Sequence, residues 1–152
     1  MKKFLAIILS LMTMLCLTSC KLITIDEEDN GGGADFAGNG SIGLSVSTQN
    51  NPFFVTLVEG AKEAAEKADV QLVVVDAGDD AAKQVSDIED LIAKNVSVLI
   101  VNPVDSDTVS SVVQDAVNKG VKVISADRVV NGVDIDCQIA SDNVLGAELA
   151  TQ

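Results

Sequence analysis

The chain of 152 residues contains no histidine, no tryptophan and no tyrosine. Without histidine it has no imidazole base near neutral pH, which excludes Ser-His-Asp and Cys-His nucleophile systems and histidine-bearing zinc sites. Ten Lys and Arg residues stand against 23 Asp and Glu residues, for a net charge of −13. Such an acidic chain lacks the basic surface typical of nucleic-acid-binding proteins. We therefore expect neither a metal site nor a nucleic-acid partner.

The N-terminus has the pattern of an export signal. Two lysines precede a mostly apolar segment over residues 4–17, as in a secretory signal peptide, and the segment is shorter than the ~20 apolar residues that span a bilayer. The run 17–20 (LTSC) resembles a bacterial lipobox, which predicts cleavage before Cys20 and lipidation of its thiol. An ordinary signal peptide followed by a disulfide-forming Cys20 is the alternative. We therefore predict a lipoprotein signal peptide over residues 1–19 and an extracytoplasmic protein anchored to the cell membrane.

Residues 20–40 have the composition of a tether that follows the lipidated cysteine. Four acidic residues run into an asparagine and three glycines, and the segment has too little apolar surface to fold alone. Its expected end-to-end distance of roughly 25 Å would let a folded domain reach a membrane partner. Phe36 lies in this tether and is expected to have no site role.

Cys137 is left without a disulfide partner if Cys20 is acylated. It lies in the apolar-flanked run 135–140, which favours a buried thiol over a reactive one.

From Ser41 onward, short apolar runs alternate with segments of helical period. The pattern predicts strands over 42–46, 71–75, 98–101, 121–126 and 135–140, helices over 52–68, around 85–92 and around 109–117, and a last helix from Val144. Alternating strands and helices are typical of βαβ units, and continuous apolar strands are typical of a sheet covered on both faces. Residues 41–152 are therefore predicted to form a doubly wound α/β domain, with a parallel sheet and helices on both faces.

In such a sheet a ligand binds beyond the carboxyl ends of the strands. The turns there carry no G-x-G-x-x-G or P-loop motif, so no cofactor is expected. Aspartates follow several strands and would repel an anion, which favours a neutral ligand with many hydroxyl groups.

Five residues on this edge are candidates for binding. Phe53 and Phe54 open the first helix, and they offer either an apolar platform for a sugar ring or one core side chain and one exposed one. Asp127 and Arg128 can accept from and donate to hydroxyl groups, although a salt bridge at the edge is the simpler interpretation. Asn51 offers a donor and an acceptor, or serves the turn before Pro52.

Four motifs carry a resemblance to a known family. The runs 47–54 (STQNNPFF), 101–107 (VNPVDSD), 126–128 (ADR) and 139–146 (IASDNVLG) occur in this order. Over residues 41–152 the chain resembles the N-terminal lobe of the type I periplasmic sugar-binding proteins of bacterial ABC transporters. The resemblance implies that Asn51, Phe53 and Phe54 line a ribose-like monosaccharide, that Asp127 and Arg128 hydrogen-bond its hydroxyl groups, and that an ABC importer permease is the partner.

The resemblance also implies a second lobe and closure about a hinge. Members of that family are about twice as long, whereas this sequence stops in the helix after the fifth strand. We therefore expect a fragment from which the second lobe is absent.

Three other functions stay open at this point. A sensory protein that presents a sugar or autoinducer to a receptor would carry similar residues in this lobe. A regulator of the lac-repressor type shares the fold but would need a helix-turn-helix where this chain has an export signal. An enzyme is the weakest choice, because turn and cap roles account for its candidate acids, Asp76, Asp105 and Asp107.

Overall fold

The computed structural model describes residues 38–141, together with 147 and 149–150. The predicted signal peptide, Cys20, the tether up to residue 37 and the predicted start of the last helix at Val144 lie outside the described residues.

Five parallel strands form one sheet in the order β2-β1-β3-β4-β5. The strands are β1 (Ile42–Val46), β2 (Leu72–Asp76), β3 (Val98–Val101), β4 (Lys122–Ala126) and β5 (Cys137–Ile139). Three helices connect the first four of them: α1 (Pro52–Lys67), α2 (Ala81–Ala93) and α3 (Ser110–Asn118). None of these described helices is both long and apolar enough to cross a bilayer.

One face of the sheet is covered by α1. The helix begins where the side chain of Asn51 accepts a hydrogen bond from the main-chain N–H of Phe53, with Pro52 in its first position. Phe54 and Val58 of α1 pack on buried strand residues such as Leu44. Because side chains alternate along a strand, only every second residue of β1 contributes to this layer.

The opposite face is covered by α2 and α3. Asp80 caps α2 by accepting from the first-turn N–H groups, and the apolar faces of both helices bury the alternate strand residues, Leu99 among them. A Cβ atom at Gly43 would lie 2.9 Å from Cδ1 of Leu91, so the glycine lets α2 approach β1 closely. The helices therefore lie on both sides of a parallel sheet, which confirms the predicted fold class.

The observed strands and helices match the predicted ones except at some of their ends. The fifth strand is confined to Cys137–Ile139, although the apolar run suggested a longer one. The third helix starts at Ser110 without a side-chain cap, and Gly120 follows its end with a φ of 80°, in the left-handed conformation typical of a helix C-terminus.

The prediction of a buried Cys137 is wrong. Its side chain is exposed, and its thiol forms no disulfide within the described residues. The reason is its place in the sheet: β5 is an outer strand of the described sheet, and Cys137 pairs with Ile124 of β4. The apolar cluster under α1 includes residues of β1, β2 and β3 but none of β4 or β5. Flanking apolar residues thus predicted the strand correctly but not its burial.

Candidate functional site

The carboxyl ends of the strands contain a topological switch point between β1 and β3. The two strands are neighbours, but the chain leaves β1 for the α1 face and leaves β3 for the α3 face. The two outgoing loops therefore diverge and leave a crevice between them, which is where open α/β sheets bind ligands. All five predicted site residues lie at this edge: Asn51, Phe53 and Phe54 after β1, Asp127 and Arg128 after β4.

The residues after β1 divide into one buried ring and one exposed ring. Phe54 is 5% exposed and belongs to the core, whereas Phe53 is 55% exposed. Their ring centroids are 5.2 Å apart and the rings meet edge to face. Asn51 uses Oδ1 to cap α1, and its Nδ2 has no hydrogen-bond partner within the described part of the chain. The surface available to a ligand is thus the Phe53 ring and the Asn51 amide donor.

The backbone conformation and one main-chain hydrogen bond hold Asp127, the first residue after β4, in place. Asp127 has a φ of 68°, a left-handed conformation that few residues other than glycine, asparagine and aspartate adopt. Its main-chain N–H donates to the carbonyl of Ile139 at 2.7 Å. This bond joins the ends of β4 and β5, so the Asp127 side chain projects from a well-defined backbone.

Arg128, the only arginine of the sequence, points back over the loop that follows β3. Its Nη1 donates to the carbonyls of Pro103 at 2.9 Å and Val104 at 3.1 Å. Its Nε is 4.0 Å from Oδ2 of Asp127, beyond hydrogen-bond distance. Nη1 thus donates to two carbonyls of the loop, and no other described side chain or carbonyl accepts a hydrogen bond from the Nε–H or Nη2 donors. Within the described part of the chain, those donors are available to a ligand.

Asn102 joins the two groups of site residues, although it is not among the site residues predicted from the sequence. The side chain is fully buried; its Oδ1 accepts from the N–H and hydroxyl of Ser47 at 3.1 and 2.6 Å, and its Nδ2 donates to the carbonyl of Ala126 at 3.0 Å. One amide therefore ties together the ends of β1, β3 and β4. An asparagine before a proline is common in turns, so the sequence offered no signal for this role.

The three candidate acids of the enzyme alternative form hydrogen bonds within or next to the turns in which they lie. Asp76 accepts from the N–H of Gly78 at 2.9 Å, and Asp107 accepts from the side chain of Asn131 at 2.7 Å. Asp105 accepts from the hydroxyl and N–H of Thr108, and these bonds hold its pKa below the ordinary value. A lowered pKa keeps the carboxyl ionised, which is the opposite of what a general acid near neutral pH requires.

The site therefore offers contacts suited to a polyhydroxylated molecule. It combines an exposed aromatic ring, an amide donor, a carboxylate acceptor and a guanidinium with free donors. No group of three or more metal-ligating side chains occurs among the residues that the structure describes.

Comparison with known proteins agrees with this architecture. The family model described as "periplasmic binding protein domain" matches residues 42–152. The ribose import binding protein of Bacillus subtilis is 42% identical over 153 residues, covering 99% of this chain and 48% of the relative. The ribose import binding protein of Escherichia coli is 42% identical over 110 residues, covering 72% of this chain and 37% of the relative. The chain thus spans about half the length, or less, of these relatives.

Solved structures show the same relationship. The myo-inositol binding protein of Caulobacter, bound to myo-inositol, has a TM-score of 0.69 and 31% identity over 73% of this chain and 38% of that one. A solute binding protein of Actinobacillus succinogenes with bound D-allose has a TM-score of 0.66 and 29% identity over 73% of this chain and 42% of that one. By the family model, the identity to its relatives and the shared fold, the chain belongs to the periplasmic binding protein family.

Proposed function

We propose that this domain is the sugar-binding lobe of an extracytoplasmic lipoprotein that delivers a ribose-like monosaccharide to an ABC importer. The observation that carries the proposal is the set of groups exposed at the carboxyl edge of the sheet: the Phe53 ring and the donors of Asn51 and Arg128 that have no acceptor among the described residues. The function is binding without catalysis. Relatives named as ribose import binding proteins support ribose as the first sugar to test.

Each site residue has a defined part in the proposal. The Phe53 ring stacks on the apolar C–H face of the sugar, while Phe54 supports that ring from the core through their edge-to-face contact. Asp127 accepts hydrogen bonds from hydroxyl groups and Arg128 donates to hydroxyl oxygens through its planar fork. A neutral sugar fits this mixed set better than an anion, because aspartates surround the crevice.

The domain is proposed to act as one of two lobes that close on the sugar about a hinge. The support is the coverage of the relatives, of which this chain spans about half. The genomic sequence beyond codon 152 tests the idea directly. A reading frame that continues into a second α/β lobe supports it, and a stop codon with no such lobe downstream contradicts it.

Membrane anchoring through Cys20 is proposed from the lipobox-like run 17–20. Two acyl chains on one cysteine hold a protein stably at a bilayer, whereas one chain binds only marginally. Labelled palmitate should be incorporated into the wild-type chain in bacterial cells and should be lost in Cys20→Ser. The matched control Cys137→Ser should label normally; incorporation that survives Cys20→Ser contradicts the proposal.

Sugar binding by the chain itself can be measured by titration with D-ribose. A site that supplies one wall of a cleft is expected to bind in the millimolar range, about −4 kcal/mol, so the readout is the ¹H–¹⁵N spectrum. The amide signals of Asn51, Phe53 and Arg128 should shift with ribose concentration, and signals at the opposite end of the strands should not.

Two variants and their controls test the roles of individual side chains. Phe53→Ala should weaken ribose binding about tenfold, equivalent to ~1.4 kcal/mol, whereas Val129→Ala, which removes another exposed apolar side chain, should not. Arg128→Lys keeps the charge but loses the planar fork, so it too should weaken binding, whereas Lys119→Ala should not. Unchanged ribose affinity in both Phe53→Ala and Arg128→Lys would show that the site lies elsewhere.

A further inference from the structure

Gln84 is a fully buried polar side chain that the proposed site does not include. It lies in the first turn of α2 and has no exposed surface. Its position is four residues before Ile88 and seven before Leu91, so it faces the sheet with the apolar residues of the helix. A buried amide without partners costs about 1–3 kcal/mol, so the fold requires hydrogen bonds for this side chain.

Both ends of the Gln84 amide are hydrogen-bonded, and two of its three bonds go to the loop after β3. Its Nε2 donates to the hydroxyl of Ser45 at 3.1 Å and to the carbonyl of Asn102 at 2.9 Å. Its Oε1 accepts from the main-chain N–H of Val104 at 2.7 Å. A carbonyl partner requires the nitrogen and an N–H partner requires the oxygen, so only one orientation of the amide satisfies both. The side chain thus holds the segment Asn102–Val104 at its two ends.

The same segment holds the guanidinium of Arg128. The carbonyls of Pro103 and Val104 accept both Nη1 hydrogens, and Val104 is the residue whose N–H bonds to Gln84. Any displacement of these carbonyls therefore changes the direction in which the free donors of Arg128 point. Hydrogen-bond strength depends steeply on this direction.

We propose that Gln84 is a positioning residue for sugar recognition: from the opposite side of the loop after β3, it orients Arg128 through the main chain of residues 102–104. The proposal rests on the proposed function, because the sugar site is the one that Arg128 serves. It assigns a part in ligand affinity to α2, which carries none of the five predicted site residues.

The test uses the single arginine of the chain as a reporter. Because Arg128 is the only arginine, the Nε–H group gives one assignable ¹H–¹⁵N signal, which is measured without sugar. In Gln84→Met, which keeps the length of the side chain but removes its hydrogen bonds, this signal should shift and its heteronuclear NOE should fall. The control Gln114→Met removes an exposed glutamine that bonds to Asn118 within α3, and it should leave the signal unchanged.

The affinity for D-ribose gives the second readout. Gln84→Met should raise the Kd about tenfold, the equivalent of one lost hydrogen bond of ~1.4 kcal/mol, and Gln114→Met should not change it. If Gln84→Met lowers only the stability of the fold and leaves both the Arg128 signal and the Kd at wild-type values, the positioning role is wrong.

A measurement on the wild-type chain covers the case in which Gln84→Met does not fold. A scalar coupling across the hydrogen bond between the Val104 nitrogen and the Gln84 side-chain carbonyl carbon, together with slow exchange of the Val104 amide, supports the proposal. A Val104 amide that exchanges at the rate of an open loop overturns it.

The outcomes also separate this proposal from the function on which it rests. A change of the Arg128 signal in Gln84→Met with no ribose binding by the wild-type chain supports the positioning role and refutes the ribose assignment. Ribose binding by the wild-type chain with an unchanged Arg128 signal in Gln84→Met does the reverse.

Discussion

Replacing Phe53 and Phe54 one at a time separates the packing of the α1 face from the contact surface of the site. The two residues are adjacent in sequence, but Phe54 is 5% exposed and Phe53 is 55% exposed. Phe54→Ala should therefore lower the free energy of unfolding strongly, and Phe53→Ala should lower it little while weakening ribose binding.

The expected magnitudes follow from the contacts of each ring. Phe54 packs with Leu44, Val46 and Val58, and removing a core phenylalanine costs about 3–5 kcal/mol. That is a large share of the ~5–15 kcal/mol that stabilises an ordinary domain. Phe53 loses one edge-to-face contact, worth about 0.5–1.5 kcal/mol. The control Phe54→Leu keeps most of the volume and should cost less than about 1.5 kcal/mol.

Urea unfolding followed by far-ultraviolet circular dichroism is the suitable assay, because the chain has no tryptophan or tyrosine to report by fluorescence. Equal slopes of free energy against urea concentration show that only stability has changed. The reasoning is refuted if Phe53→Ala destabilises the domain as much as Phe54→Ala does. Equal losses would mean that both rings belong to the core and that neither is reserved for a ligand.

Two further predictions concern the other face of the sheet and its amino edge. Gly43→Ala places a Cβ atom 2.9 Å from the buried Leu91 side chain. It should lower the free energy of unfolding, measured in urea, by about 1–3 kcal/mol. If the variant is as stable as the wild type, α2 can move away from β1 without cost and the reasoning is wrong. The Lys122 ammonium and the N–H of Val123 hold the pKa of Asp136 below its ordinary value of 3.8. The bond to Lys122 should therefore stabilise the fold above that value and be lost as the pH falls through the lowered pKa. Asp136→Asn keeps an acceptor for Val123 and should cost only about 0.5 kcal/mol near neutral pH, because both charged groups are more than a third exposed. A stability difference between wild type and Asp136→Asn that persists unchanged in acid would contradict this account.

The architecture was predictable from the sequence because the apolar residues of its strands and helices recur in regular patterns. Continuous apolar strands and helical stripes alternate from Ser41 onward, and handedness rules leave few ways to arrange them. The edge that carries Asn51, Phe53 and Arg128 followed from the same rules, since ligands bind beyond the carboxyl ends of parallel strands. Their roles in binding remain predictions that the titration with ribose addresses.

What the sequence did not reveal depends on contacts between distant segments. Asn102 bonds to Ser47, 55 residues away, and no local pattern encodes that pairing. Gln84 is recognisable in the sequence, because it is a polar residue within the apolar stripe that continues at Ile88 and Leu91. Such an interruption of the apolar stripe indicates a buried amide. Its hydrogen-bond partners, however, can be identified only from the folded structure. Cys137 shows the opposite error, in which apolar neighbours suggested burial on a strand that lies at an outer edge.

The left-handed backbone at Asp127 restricts how this site can diversify. At a φ of 68°, β-branched and bulky residues are disfavoured, and only glycine, asparagine and aspartate are well tolerated. Glycine would remove the acceptor, so asparagine is the one exchange that keeps both the backbone and a hydrogen-bonding side chain. At this position of the proposed site, substitution can thus change the charge of the side chain but hardly its shape, and we expect selection for a ligand of different size to act on other residues. Directed-evolution libraries that randomise position 127 should return asparagine, aspartate and glycine almost alone.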